Sequence, residues 1–146
     1  METAQKLYNI FHGSARAHGS FVVENGSLGQ KTQGQAKTIK TIGASVNHWT
    51  DHLSGAKGLG IIPIDEDNSV KWGAIDIDEY DVNHKKLVTV LRENKIPAVV
   101  GRTKSGGAHI WIFLSEPVEA EEMQRKMTEL SAALGHSGSE IFPKQT

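Results

Sequence analysis

From residue 70 onward, apolar and polar positions alternate regularly enough to predict one element after another. Val70 to Asp78 reads as a strand, with Ile75 and Ile77 on one face and Ala74, Asp76 and Asp78 on the other. Asp81 is placed to cap a helix whose positions His84, Leu87, Val88 and Leu91 follow the 3.6-residue period. Pro97 opens a second strand through Val99 and Val100 to Thr103. Ser105-Gly106-Gly107 supplies a tight turn, and Ala108 to Leu114 makes a third strand. Pro117 is expected to open a second helix, acidic at Glu119, Glu121 and Glu122, buried along Met123, Met127, Leu130 and Leu134, and ended by Gly135. Ser139 to Phe142 reads as a short fourth strand.

The order βαββαβ is that of the split βαβ unit, ferredoxin- or RRM-like, with sheet order 4-1-3-2. Parity then sorts the side chains. Ile75, Ile77, Ile110, Ile112, Leu114 and Ile141 form one apolar face for the two helices to cover. Asp76, Asp78, His109, Trp111 and Glu140 fall on the opposite face, which antiparallel sheets often leave open. Trp72 falls there too, and it and Trp111 could stack a base or sugar or pack under other structure.

Residues 1–69 are less regular. A short amphipathic helix carries Leu7, Tyr8, Ile10 and Phe11, and Phe21 to Val23 looks like a strand. Residues 24–44 read as a polar loop. Ser45 caps a helix with Val46, Trp49 and Leu53 on one face and Gly55 at its end, and Leu59 to Ile64 is a further strand. The fold expected is α+β within a single domain, 1–146: an N-terminal α/β module, 1–69, closing a cleft over the open face of the 70–146 half.

Bulk properties narrow the function classes. With 38% apolar and 23% charged residues the chain has the composition of an ordinary globular domain. It has no cysteine, which excludes a disulfide framework and a thiolate zinc site. No apolar run reaches the roughly 20 residues of a membrane span, and no signal-peptide pattern begins it, so a cytoplasmic location is expected, with no membrane partner. The net charge of -1 hides seven acids between residues 65 and 81, against six basic and three acidic residues in 1–60. A metal-dependent enzyme acting on phosphates would use such an asymmetry, though two solvated patches would look the same.

Three segments carry candidate chemistry. Asp76-Ile77-Asp78 projects two carboxylates in the same direction from a strand, where they can share a divalent metal. Arg102-Thr103-Lys104-Ser105-Gly106-Gly107-Ala108-His109 gathers two cations, hydroxyls and glycines that let backbone approach an anion, followed by a strand histidine. Read alone, this turn is equally an ordinary basic hairpin. Glu140 acquires meaning only from the topology, which sets its strand beside that of Asp76 and Asp78. Gly26-Ser27-Leu28-Gly29-Gln30-Lys31-Thr32 fails as a P-loop because Gln30 interrupts the required Gly-Lys-Thr. His48 and His52, one helical turn apart, lack a third zinc ligand at a recognised spacing; with Lys57 they fit better as part of a phosphate or template path.

The set Asp76-Ile77-Asp78, Ser105-Gly106-Gly107-Ala108-His109 and Glu140-Ile141-Phe142-Pro143-Lys144-Gln145 resembles the three motifs of the archaeo-eukaryotic primase superfamily. The resemblance is to small primase-polymerases of phages, plasmids and bacterial conflict systems. It implies a nucleotidyltransferase, a DNA primase-polymerase that adds dNTPs or NTPs to a 3′ hydroxyl on a single-stranded DNA template in replication or primer synthesis. It implies catalytic Asp76, Asp78 and Glu140 holding two Mg²⁺ or Mn²⁺ ions. Ser105 and His109 would hold nucleotide phosphates, helped by Arg102, Lys104, Gly106 and Gly107. Template, primer and nucleotide would be the partners, with a helicase domain or replication protein in cis or trans, in a bacterial or phage-infected cell. Two alternatives stay open: a non-catalytic RRM-like nucleic-acid or nucleotide-binding module, and a rolling-circle replication nuclease. The nuclease would need two histidines flanking one apolar residue and a tyrosine nucleophile, whereas His109 is followed by Ile110 and Trp111.

Overall fold

The computed structural model describes residues 2–23 and 34–146. The chain divides into two units between Asp67 and Asn68. The first contains helix α1 (Thr3–Ile10), strands β1 (His18–Val23) and β2 (Gly34–Ile39), helix α2 (Val46–Leu53) and strand β3 (Gly58–Gly60). Ser45 starts α2 by a capping box in which the partner side chain is a histidine. The Ser45 hydroxyl accepts from the His48 N–H at 3.4 Å, and the Ser45 N–H donates to His48 Nδ1 at 2.9 Å. Burial, followed by the neighbouring His18, pushes the His48 pKa down, which favours the neutral ring that this accepting role requires. Trp49 is buried and stacks on Phe11, with ring centroids 5.4 Å apart. Of α1 only Ala4 is buried, while Tyr8 and Ile10 stay exposed.

Two expectations for this unit change. Residues 34–39 form a strand rather than a loop, paired antiparallel with β1 from His18↔Ile39 to Val23↔Gly34. An edge strand tolerates polar side chains, so Gln35, Lys37 and Thr38 gave no apolar signal to read. Gly34 leaves room for the Phe21 ring, which would lie 2.3 Å from any Cβ placed there. The strand expected over 59–64 shrinks to Gly58–Gly60, paired with β1 in the order β2-β1-β3; Pro63 has no N–H to extend a ladder. The glycine-rich segment 26–32 lies outside the described residues.

The second unit is strand β4 (Ser69–Ile77), helix α3 (His84–Glu93), strands β5 (Ala98–Arg102) and β6 (Ala108–Glu119), helix α4 (Ala120–Ala133) and strand β7 (Glu140–Phe142). Its sheet order, β5-β6-β4-β7, is the expected one, with every pair antiparallel. Ile75, Ile77 and Ile110 are completely buried, each contributing about 1.5–3 kcal/mol by leaving water. On that face Gly73 lies under α4, where a Cβ would meet Met123 Sδ at 2.6 Å.

Three local details depart from the pattern reading. Asn83, not Asp81, caps α3, its side chain accepting from Lys86 N at 3.0 Å. Pro117 does not open the second helix. β6 continues through it to pair Val118 with Val70 and Glu119 with Ser69, and Pro117 falls at the irregularity between Val70 and Trp72 where no ladder donor is needed. The buried stripe of α4 is Ala120, Met123, Met127 and Ser131, with Leu130 and Leu134 only half-buried. Ser131 satisfies its hydroxyl by donating to His136 O at 2.7 Å. Gly135 does end the helix, at φ +80°.

Candidate nucleotide site on the second sheet

Strand pairing places the predicted residues in one row. Asp76 lies directly opposite His109 on β6 and directly opposite Glu140 on β7, and His109 lies opposite Gly101 on β5. Cross-strand partners share a face, so the parity argument holds across the three strands it covered, and Gly101 of β5 extends the row to a fourth. The neighbouring row on the same face is Val99, Trp111, Ala74 and Phe142. Asp78 stands one residue past the end of β4 and is exposed.

The side chains add detail. His109 Nε2 lies 3.2 Å from Asp76 Oδ1, both groups partly open to solvent. Trp111 meets the His109 ring edge-on, 5.3 Å between centroids at 72°. That indole lies over Gly101, where a Cβ would come within 2.6 Å of it, so the missing side chain on β5 gives the ring its place. Glu140 pairs with Lys144, four residues further along the chain and outside the row.

The β5–β6 connection is a tight, internally bonded hairpin. Gly106 N donates to Thr103 O and Thr103 N donates to Gly107 O, each at 3.1 Å, with Gly106 at φ +91°. Ser105 Oγ lies 3.4 Å from Thr103 Oγ1, while Arg102, Lys104 and Ser105 are exposed. A contact that the sequence did not announce braces this loop: His84, first residue of α3, donates from Nε2 to Gly107 O at 2.8 Å. Spacing reads His84 as one more position on a helix face; nothing local marks a bond spanning 23 residues. Similarly His136 Nδ1 lies 3.2 Å from Glu79, joining the loop before β7 to the end of the acid-bearing strand.

Gly107 itself is fixed by space, since a Cβ there would sit 2.3 Å from Ile77 O. A backbone carbonyl cannot move aside as the Met123 and Met127 side chains at Gly73 can. Gly107→Ala should therefore cost about 1–3 kcal/mol in denaturant unfolding, and Gly73→Ala distinctly less. Equal midpoints for the two variants would show that the hairpin is not held against β4.

The donor chemistry fits a hard divalent cation: three carboxylates, no thiolate, on adjoining strands. As the side chains stand, no three His, Asp or Glu groups among the described residues are gathered to hold a metal, consistent with Glu140 being engaged by Lys144.

The other histidines of interest belong to the first unit. His48 is occupied by the Ser45 cap and packs on His18 at 4.3 Å between centroids. His52 Nδ1 donates to Lys57 O at 3.2 Å, bracing the turn after α2, so His48 and His52 both have structural partners. In the same unit Glu66 accepts backbone N–H bonds, its own first and then Ala15's, and these hold its carboxyl below the usual range.

No helix is long and apolar enough to cross a membrane among the described residues. A search of curated proteins gives no match. The profile of the TOTE conflict system's archaeo-eukaryotic primase domain matches residues 21–145, a span containing all of the second unit's row and hairpin. Matched over most of its length, the chain belongs to the archaeo-eukaryotic primase domain family of the TOTE conflict system, a family of primase-like nucleotidyltransferases.

Proposed function

We propose that this chain is a DNA primase-polymerase, transferring nucleotides from dNTPs or NTPs to a 3′ hydroxyl on a single-stranded DNA template. The observation that carries the reading is the single row Gly101, His109, Asp76 and Glu140, with a cation-bearing hairpin at its end. Asp76 and Asp78 would hold Mg²⁺ or Mn²⁺, with Glu140 joining them in place of its bond to Lys144. Two such ions, when bound, lower the pKa of the attacking hydroxyl and neutralise charge on the departing pyrophosphate.

The remaining residues act by position and charge. Arg102 and Lys104 supply cations, Ser105 a hydroxyl, and Gly106 and Gly107 closely approachable backbone for a triphosphate. His109 is the pivot of the row, since a proton on Nε2 can serve Asp76 or a phosphate oxygen. Trp111, by sitting on Gly101, limits how the imidazole can turn. This work is positioning and electrostatic stabilisation. An RRM-like binding module would use two or three exposed aromatics on its central strands. Here Trp72 is buried, Trp111 is half-buried, and the row is carboxylates and imidazole.

Incorporation of labelled dNTPs and NTPs on single-stranded templates, with and without primer and with Mg²⁺ or Mn²⁺, tests the reading. Template-dependent extension that stops on chelation is expected. Tight single-strand binding without incorporation under any of these conditions would favour the binding module.

A further inference from the structure

Lys144 lies outside the row, yet several contacts hold it against one end of it. Its ammonium pairs with the Glu140 carboxylate and stands 5.2 Å from the centre of the Phe142 ring. Its backbone is fixed from α4, where Gln124 Nε2 donates to Lys144 O at 2.9 Å and to Pro143 O at 3.3 Å. An exposed lysine loses much of its ion-pair energy to the ordering of a long side chain. Here Gln124 sets where that side chain starts, and Phe142 gives its charged end a second contact.

The pair answers an electrostatic problem in the sheet. Glu140 is directly opposite Asp76, and like charges in that relation destabilise a strand pair. The two carboxylates have different partners: His109 Nε2 lies 3.2 Å from Asp76 Oδ1, and Lys144 takes Glu140. Among the described residues no three His, Asp or Glu groups are gathered to hold a metal, although the pairing register puts Asp76, His109 and Glu140 in line. A divalent cation drawn to Glu140 would meet the ammonium already there, and the two positive charges repel.

We infer that Lys144 is a latch on the third carboxylate: in the metal-free protein it holds Glu140 as an internal counter-cation, and an arriving divalent ion displaces it. This rests on the reading above, in which Asp76, Asp78 and Glu140 hold the metal. The exchange favours the metal because a dication carries twice the charge and takes several oxygens at once. Lys144 is thus a positioning residue that acts through Glu140. It steadies the sheet while the metal is absent and weakens the affinity with which the metal is taken.

Mn²⁺ binding, followed by loss of the free ion's electron spin resonance signal, reads the latch without turnover. Lys144→Gln should tighten Mn²⁺ binding about two- to five-fold, the size of one exposed ion pair. The same variant should lower the metal-free unfolding midpoint, because Glu140 then faces Asp76 without its counter-charge. A merely structural lysine would lower the midpoint and leave the affinity alone. The Lys144 side chain is 57% exposed, so its exchange leaves the core intact. Lys144→Arg, which keeps the charge, should bind Mn²⁺ as the parent does.

The deciding comparison is made in a Glu140→Gln background. There Lys144→Gln should change nothing, since no carboxylate remains to be held, whereas a general effect of removing a positive charge would persist. Equal Mn²⁺ affinity in Lys144→Gln and the parent, or a gain of the same size in the Glu140→Gln background, overturns the latch. Asp76→Asn separates that failure from failure of the transfer reading. It should weaken Mn²⁺ binding whichever residue stands at 144; if it does not, the metal site falls and the latch with it.

Discussion

Asp76→Asn is expected to lower nucleotide transfer by at least about 100-fold with little change in unfolding midpoint. Asp76 is the centre of the row, paired in register with both His109 and Glu140 and two residues from Asp78. Exchanging one carboxylate oxygen for an amide keeps size and still leaves an acceptor for His109. What is lost is charge, and with it the affinity for a hard cation; even changing a group that only hydrogen-bonds a metal's ligand costs about 10–100-fold. The fold should survive because Asp76 is only partly buried and the strand is secured by Ile75 and Ile77 on the other face. Asp78→Asn should behave alike. Near-wild-type incorporation by either variant, measured with Mg²⁺ and with Mn²⁺, would remove that carboxylate from the mechanism.

His109→Ala should weaken nucleotide binding by about 10- to 150-fold, corresponding to a lost charge-assisted hydrogen bond of about 1.5–3 kcal/mol. Template affinity should hold, because the imidazole contacts Asp76 and Trp111 in the row proposed to take the nucleotide. His109→Asn, which keeps a donor, should recover part of the loss. Titration of dNTP against each variant, read by competition with a fluorescent nucleotide, decides the matter. Equal affinity in His109→Ala and the parent would exclude the imidazole from phosphate binding.

Much of this site was legible from alternation alone. Ile75 and Ile77 fix the inward face of β4, and a period of two then forces Asp76 outward; the same count sends His109 and Glu140 to that face once the βαββαβ order sets the neighbours. What escaped was non-local or weakly patterned. The bond from His84 to Gly107 joins a helix start to a distant hairpin and leaves no periodic trace. The embrace of Glu140 by Lys144 depends on rotamers beyond the strand's end. β2 hid because an edge strand can be polar, and Pro117 misled because a bulge removes the usual objection to proline in a ladder. Asn83 took the cap from Asp81 because the chain turns into the helix two residues later than a cap at Asp81 would place it.

The packing of Gly73 beneath α4 has a redox consequence. The chain has no cysteine and three methionines, and Met123 and Met127, 5% and 1% exposed, lie beneath the central strand on the side away from Asp76. Sulfur is the atom that peroxide attacks first, and a sulfoxide would put a polar oxygen where Gly73 leaves room only for a thioether. The face bearing the carboxylates and imidazole carries no sulfur among its row residues, and thiol-directed reagents have no target anywhere in the chain. Oxidative damage would therefore reach the site from behind, by loosening the helix that supports the strand, and only after the sheet had opened enough to admit the oxidant.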